Sequence, residues 1–209
     1  MIFELIDELV FPKPELAEED GLLAIGGDLS EERLILAYRL GIFPWYSANE
    51  PICWYSPHER FVLYPNEIII SHSMQQVINT GKYEVRWNTA FEKVIRACAA
   101  IPRKGQTSTW ITDDMIAAYT ALHKKGIAQS VEVWWNDELV GGLYGIVTGK
   151  VFCGESMFST QPNTSKLALI TLCRSNRYSL IDCQIHTNHL QSMGARFISR
   201  ADYMIELAK

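Results

Sequence analysis

Apolar and polar positions alternate most clearly between residues 130 and 158. The apolar and aromatic runs are interrupted at 136–137 (Asn-Asp) and again at 148–150 (Thr-Gly-Lys). Because Asn, Asp and Gly are typical of tight turns, this pattern predicts three strands joined by two turns.

The third of these strands contains a carboxylate within an apolar run. Side chains alternate along a strand, so Val151, Cys153, Glu155 and Met157 are predicted to share one side. A carboxylate is costly to bury without a partner. The pattern leaves two alternatives for Glu155: the side chain faces solvent, or it is held at a site.

The rest of the chain alternates between helical and extended patterns, which predicts an α+β protein with a mainly antiparallel sheet. Residues 1–20 are predicted to be irregular, and the proline-rich, aromatic stretch 42–65 to be an ordered loop. Asn88 or Thr89 is predicted to cap the helix that follows. The predicted helices are 31–40, 71–79, one from 90 to about 100, 112–125, 165–176, a short one in 186–194 and one from 199; further strands are predicted at 82–87 and 178–185.

The predicted strand 178–185 carries two polar residues between apolar neighbours. Alternation places Asp182 and Gln184 on one face and Ile181 and Cys183 on the other. Buried polar groups must be satisfied. Together with Glu155, this set could accept an ammonium proton, orient an amine or bind a guanidinium. The alternative is an ordinary buried network completed by a lysine or arginine of the core.

Composition indicates a globular chain of one or two domains. It has 209 residues, 48% of them hydrophobic, and no run near the roughly 18 apolar residues of a membrane span. The first fifteen residues are acidic where a secretion signal is basic, so no signal peptide is predicted. Five cysteines without a Cys-x-x-Cys pair indicate reduced thiols in a cytoplasmic protein.

The charge distribution limits contact with nucleic acid. The net charge is −5, and residues 1–60 hold twelve acidic but only four basic residues. A protein that grips many phosphates is more basic than this, so any such contact is predicted to be small and local. Residues 82–104 hold six basic and two acidic residues, among them Lys93, Arg96, Arg103 and Lys104. They form either a solvated helix face or a local phosphate contact.

Metal and covalent chemistry find little support in the sequence. His186 and His189 have helical spacing, but no further ligand cluster accompanies them, so no metal is expected. Cys153 lies close in sequence to a carboxylate, and Cys183 is predicted to face away from Asp182. A nucleophilic cysteine needs a base and an electropositive setting, so covalent catalysis is not expected.

Several long segments together resemble one known family. The chain resembles leucyl/phenylalanyl-tRNA–protein transferases from about residue 11 to 203. This resemblance implies a small N-terminal α/β domain, 1–62, and a C-terminal domain, 63–209, similar to the acetyltransferase (GNAT) fold. The acetyl-CoA phosphate loop of ordinary acetyltransferases is absent. The matching segments are GLLAIGGDLS, GIFPWYS, WYSPHERFVL, TWIT, AYTALHKKGIAQSVEVW, LVGGLYGI, FCGESMFS, SK-x-AL and LIDCQ.

The resemblance also implies an activity. Such an enzyme moves leucine or phenylalanine from the 3′ end of aminoacyl-tRNA to the N-terminal arginine or lysine of a protein. The product is marked for degradation by the N-degron route. The enzyme is expected in the cytoplasm, with no metal and no cofactor. Two alternatives are an aminoacyl-tRNA-dependent ligase of a cell-wall peptide precursor and a tRNA-binding module without catalysis.

The family's functional residues match ten positions of this sequence. The resemblance implies that Asp182 and Gln184 are catalytic and handle the proton of the attacking amine, while Glu155 binds the acceptor's charge or the terminal adenosine. Alternation puts Ile181 and Asp182 on opposite faces, so a pocket that uses both must be lined from both sides of the sheet. The implied substrate contacts are Trp45 and Trp110 for the adenine, and Leu143, Met157, Leu169, Leu172 and Ile181 for the donor side chain.

Overall fold

The computed structural model describes residues 2–48, 50–101 and 109–209. Within these ranges the protein is a mixed α/β structure with two sheets, and most strand pairs are antiparallel, as predicted. The strands of the smaller sheet lie before residue 56 and those of the larger sheet after residue 58. The boundary at residue 62 implied by the resemblance remains a prediction.

Three of the four strands of the smaller sheet, the first, third and fourth in chain order, come from segments that the sequence pattern predicted to be irregular or loop. Residues 1–20 contain a strand and a 3₁₀ turn (Pro14–Leu16), and the aromatic stretch 42–65 contains three strands. Prolines and short lengths conceal these strands, because each has only two to five residues and no full alternation. In the order β1-β2-β4-β3, the sheet comprises β1 (Phe3–Leu5), β2 (Leu22–Gly26), β3 (Phe43–Pro44) and β4 (Cys53–Tyr55).

The larger sheet contains the three strands predicted between residues 130 and 158, and their hairpins are confirmed. Both hairpins turn through residues with positive φ, including Asn136, Asp137 and Gly149. The order is β11-β5-β10-β9-β8-β7-β6, and only β9 and β10 are parallel. Its strands are β5 (Glu59–Leu63), β6 (Glu84–Trp87), β7 (Ala128–Trp135), β8 (Glu138–Thr148), β9 (Val151–Ser159), β10 (Leu180–Gln184) and β11 (Arg196–Ser199).

Helices cover both faces of the larger sheet. Ser30, Ser71 and Thr112 cap their helices through side-chain oxygens, as predicted. The core is divided into two clusters, one shared with the smaller sheet and one on the opposite face. The helices are α1 (Glu31–Arg39), α2 (His72–Asn79), α3 (Phe91–Ala100), α4 (Asp113–Lys124), α5 (Thr164–Arg174), α6 (Asn188–Ser192) and α7 (Arg200–Leu207). Among the described residues, none of these helices is long and apolar enough to cross a membrane.

The start of α3 differs from the prediction of a cap by Asn88 or Thr89. Its N-cap is Ala90, which has no side-chain acceptor. The acceptor is Glu132 of β7, which is fully buried and receives the backbone N–H groups of Thr89 and Ala90 at 2.9 and 2.8 Å. The Ser130 hydroxyl donates to the same carboxylate at 2.9 Å. A carboxylate distant in sequence thus compensates the positive end of the helix.

Replacing this carboxylate should destabilise the fold. We expect Glu132→Ala to lower the free energy of unfolding by about 3 kcal/mol, since several buried donors lose their acceptor. Urea unfolding of the variant and the parent protein measures the difference. Glu138→Ala, at an exposed strand position, is the control and should change it by less than about 0.5 kcal/mol. Equal stability of the two variants would contradict the capping role.

Candidate active site

A cavity of about 430 Å³ opens where β9 and β10 separate. The two parallel strands pair only from Val151–Leu180 to Cys153–Asp182. Beyond this point the two strands no longer pair with each other, and the residues that follow in both strands line the cavity. The site therefore lies in a gap in the sheet.

A register shift in β9 helps to form this gap. Gly145 pairs with Gly154 and Tyr144 with Ser156, so Glu155 is an additional residue in its strand. Such a bulge reverses the alternation of the residues that follow. Cys153 packs in the cluster next to the smaller sheet, whereas Met157 packs against the opposite cluster. The prediction that Val151, Cys153, Glu155 and Met157 share one side was therefore wrong.

A second register shift lies in β10 at the same level. Asp182 pairs with Val62 and Gln184 with Phe61, so Cys183 is additional. Gln184 has a φ of 58°, in the left-handed region that is unusual for residues other than glycine. The prediction that Gln184 simply follows Asp182 on one face of a regular strand was therefore wrong.

All ten residues that the resemblance implied line this one cavity. Ile181 and Asp182 point to opposite faces of the sheet and belong to opposite sides of the core, yet both reach the gap. The requirement for lining from both sides is met because the cavity lies between the strands. The ten are Trp45, Trp110, Leu143, Glu155, Met157, Leu169, Leu172, Ile181, Asp182 and Gln184.

Asp182 is held on both of its carboxylate oxygens. The Arg60 guanidinium and the Tyr203 hydroxyl, the latter at 2.9 Å, donate to Oδ2. The backbone N–H of Gln184 donates to Oδ1 at 2.9 Å. The Asp182 side chain is fully buried, and so is its ion pair with Arg60. Its oxygens are therefore occupied by groups of the protein itself.

Glu155 is the acid whose charge changes near neutral pH. It is 8% exposed, and burial, with a contribution from Asp182, raises its pKa to about 7 against the opposing effect of its hydrogen bonds. The Gln184 amide donates to Glu155 Oε1 at 2.8 Å and the Tyr119 hydroxyl to Oε2 at 3.4 Å. Tyr38 also hydrogen-bonds this carboxylate and contacts the Tyr119 hydroxyl.

The remaining walls of the cavity are largely apolar. Leu143, Leu169, Leu172 and Ile181 are buried, and Met157 is partly buried beside them. At the rim Trp45 is 38% exposed. The arrangement can hold an apolar side chain deep in the gap, with a polar group beside the carboxylates and the amide.

Four residues behind the cavity were missed in the sequence: Arg60, Tyr203, Tyr38 and Tyr119. Arg60 lies in an apolar strand, so it carries the same signal as Glu155, a charge among residues destined for the core. The alternative of a buried network completed by a core arginine describes its contacts correctly. The tyrosines carry no such signal, because tyrosine is common in cores.

The other candidate groups have ordinary surroundings. Burial, reinforced by Asp182, raises the pKa of the Cys153 and Cys183 thiols, which makes them poor nucleophiles. Among the described residues, no three His, Cys, Asp or Glu side chains form a group that could hold a metal ion. Arg96 pairs with Glu92 at 2.8 Å on the solvent-exposed face of α3. Arg103 and Lys104 lie outside the described residues.

An apolar cavity that ends in a buried carboxylate–amide network with a perturbed acid is typical of an enzyme site. Comparison with known proteins specifies the enzyme. Residues 62–208 match the family model for leucyl/phenylalanyl-tRNA protein transferase, and residues 27–58 match the model of its N-terminal domain. The chain belongs to this family, and it is a transferase.

Individual relatives agree over the full length. The leucyl/phenylalanyl-tRNA–protein transferase of Flavobacterium psychrophilum is 51% identical over 98% of this chain and 99% of its own length. That of Syntrophobacter fumaroxidans is 52% identical over 100% of this chain and 90% of its own. A solved structure from Staphylococcus epidermidis, described as a functionally unknown conserved protein, covers 85% of this chain and 68% of its own at 9% identity, with a TM-score of 0.45. That likeness is too low to support a statement about the fold.

The raised pKa of Glu155 predicts a pH-dependent stability. Since the folded-state pKa of about 7 exceeds the ordinary value of 4.5, the folded chain binds more protons between these values. The contribution of Glu155 to stability is therefore fully present below about pH 4.5 and is lost as the pH rises through about 7. Relative to that of the parent, the free energy of unfolding of Glu155→Gln should therefore increase by about 3 kcal/mol between pH 4.5 and 8.

Urea unfolding of Glu155→Gln and of the parent across this pH range measures the gain. Asp137→Asn, at a side chain that is 94% exposed, controls for removing a surface carboxylate. A difference between Glu155→Gln and the parent that stays constant with pH would refute the assignment.

Proposed function

We propose that this transferase moves leucine or phenylalanine from aminoacyl-tRNA to the N-terminal arginine or lysine of a protein and forms a peptide bond. The observation that carries this proposal is the single cavity that combines an apolar pocket with Glu155, Asp182 and Gln184. The names of the relatives from Flavobacterium psychrophilum and Syntrophobacter fumaroxidans support the donor, since both specify leucyl/phenylalanyl-tRNA.

The proposed reaction suits a site that binds the two substrates and orients them toward each other. An aminoacyl ester is already activated, so its attack by an amine requires neither ATP nor a covalent enzyme intermediate. The enzyme must hold the ester and the amine together, and this proximity lowers the barrier. The amine, which is mostly ammonium at neutral pH, must also lose a proton before it can attack the ester.

We assign the donor to the apolar part of the cavity and its terminal adenosine to the rim. Leu143, Leu169, Leu172 and Ile181 form a pocket for an aliphatic or aromatic side chain that is not branched at Cβ, and flexible Met157 adapts to either. Trp45 and Trp110 would stack on the adenine, which contributes about 1–3 kcal/mol per stacked base in nucleic-acid sites. The tRNA contact is proposed to be confined mainly to the 3′ end, because the chain is acidic overall.

We assign the amine chemistry to Gln184, supported by Asp182. The Gln184 amide nitrogen donates to Glu155, which leaves its oxygen to accept a hydrogen bond from the attacking amine. The ammonium loses one proton to solvent before the attack, and a second proton passes to the 3′ oxygen of the tRNA, which leaves as a hydroxyl when the peptide bond forms. Asp182 acts through the Gln184 backbone, because both of its oxygens are occupied. Glu155 is proposed to balance the positive charge of the acceptor.

The wider context belongs to the same proposal. We place the enzyme in the cytoplasm, where it would mark acceptors for degradation by the N-degron route, without metal or cofactor. We also propose two domains, 1–62 and 63–209, the second related to the acetyltransferase (GNAT) fold. The parallel pairing of β9 and β10 within an otherwise antiparallel sheet supports this relation.

A transfer assay tests the proposed substrates. The protein is mixed with tRNA charged with labelled leucine or phenylalanine and with a peptide that begins with arginine or lysine. We expect label in the peptide, because the cavity offers both an apolar pocket and a carboxylate. The same peptide with an acetylated N-terminus is the control and should remain unlabelled.

Other results would point elsewhere. Label on a lipid-linked cell-wall peptide, with none on the arginine peptide, would overturn the acceptor assignment. Binding of charged tRNA without turnover on any acceptor would indicate a binding module. Transfer from valyl-tRNA or isoleucyl-tRNA as rapid as from leucyl-tRNA would contradict the assigned donor pocket.

Asp182→Asn tests the catalytic assignment. We expect kcat to fall by about 10²–10³-fold with charged tRNA still bound, since the amide cannot hold the same pair of donors. Steady-state kinetics together with tRNA binding measures both effects. Asp137→Asn is the control and should match the parent. Full transfer activity in a folded Asp182→Asn protein would remove Asp182 from the mechanism.

A further inference from the structure

Arg60 lies immediately behind the wall of the cavity. It is 2% exposed, and it is not among the described residues that line the cavity. Its guanidinium is flanked by the rings of Phe43 and Tyr203, at 4.9 and 4.3 Å from their centroids. One nitrogen donates to the Gly41 carbonyl at 2.7 Å, and another donates to Asp182. The head group is thus fixed from four directions.

These contacts define the orientation of Asp182. Because Arg60 and Tyr203 donate to Oδ2, the other oxygen, Oδ1, is directed to the backbone N–H of Gln184. A charge-assisted bond to a buried guanidinium fixes the plane of the carboxylate. A continuous chain of contacts therefore runs from Arg60 through Asp182 to the backbone of Gln184.

The backbone of Gln184 needs this support. Its φ of 58° is costly for a residue with a side chain. The hydrogen bond from its N–H to Asp182 stabilises the turn, and the turn directs the side-chain amide to Glu155 at 2.8 Å. If Asp182 rotated, the amide would leave the position where it meets Glu155 and the cavity.

We propose that Arg60 is a positioning residue of the transfer reaction, which acts through Asp182 on the placement of the Gln184 amide. This inference rests on the proposed function of the site and assigns no contact between Arg60 and substrate. Through Phe43 and Tyr203 this network also includes β3 of the smaller sheet and the C-terminal helix α7. Residue 60 also lies between the segments matched by the two family models, 27–58 and 62–208.

A simpler role for Arg60 is to hold the core together. The protein contains a suitable comparison, because Arg33 is also buried, at 1% exposure. It donates to the Ile6 carbonyl at 2.9 Å and the Glu8 carbonyl at 3.3 Å and is ion-paired with Asp28, whose side chain is exposed. Loss of either arginine removes a buried cation, but only Arg60 contacts Asp182.

The experiment compares Arg60→Met, Arg60→Lys and Arg33→Met by steady-state transfer kinetics, with rates corrected for the folded fraction. We expect Arg60→Met to lower kcat by about 10²-fold with KM for both substrates unchanged, since a displacement of about 1 Å costs that much. Arg60→Lys keeps the charge but not the planar fork, so it should recover part of the rate. Arg33→Met should keep the parent kcat.

A double variant separates action through Asp182 from general damage. If Arg60 works only through Asp182, Arg60→Met/Asp182→Asn should have the same kcat as Asp182→Asn alone. This pair of neutral side chains also leaves no unpaired charge, so it remains informative if Arg60→Met alone does not fold. Losses that multiply in the double variant would overturn the proposal.

Hydrogen exchange gives a readout that does not depend on catalysis. In the parent the Gln184 backbone amide is bonded to Asp182 and should exchange slowly. Arg60→Met, or the double variant in its place, should speed that exchange by about tenfold or more, and Arg33→Met should not. Unchanged exchange in the Arg60 variants refutes the inference, whereas absence of transfer by the parent refutes the proposed function alone.

Discussion

The site depends on the end of backbone pairing between two parallel strands. β9 and β10 are hydrogen-bonded over three residue pairs and then separate. A regular sheet would have no room there, because neighbouring strands lie about 4.8 Å apart. The register shifts at Glu155 and Cys183 occur at the level where the strands part. They turn side chains from both faces of the sheet toward one gap, so apolar and acidic walls meet.

Electrostatics distinguishes the two carboxylates in this gap. Asp182 is paired with the buried cation of Arg60, whereas Glu155 accepts hydrogen bonds from the hydroxyl of Tyr119 and the amide of Gln184. The first is fixed as an ion pair, and the pKa of the second is raised to about 7 by burial and by its neighbour. Gln184 touches both, through its backbone and its side chain. Gln184 is therefore held between a carboxylate that is ion-paired with Arg60 and a carboxylate whose charge responds to pH.

The sequence predicted much of the fold. Hairpins with Asn, Asp and Gly in their turns and helices with Ser or Thr caps were located closely, because these signals are local. The smaller sheet was not predicted, because its strands are short and interrupted by prolines. The cap of α3 was misassigned because Glu132, its acceptor, is more than forty residues away along the chain.

The faces on which the site residues lie could not be predicted from the local sequence pattern. Strict alternation would place Glu155 and Met157 on one face and Ile181 out of reach of Asp182, yet all four line one cavity. A single inserted residue moves every later side chain of a strand to the opposite face. When the inserted residue is not a glycine or another residue typical of bulges, the sequence gives no indication of its position. The family resemblance identified the residues of the cavity because it carries the outcome of those shifts without requiring their location. Neither the sequence pattern nor the resemblance identified Arg60, because it contacts the cavity only through Asp182. The sequence feature that could have identified it is a charged residue within an otherwise apolar strand.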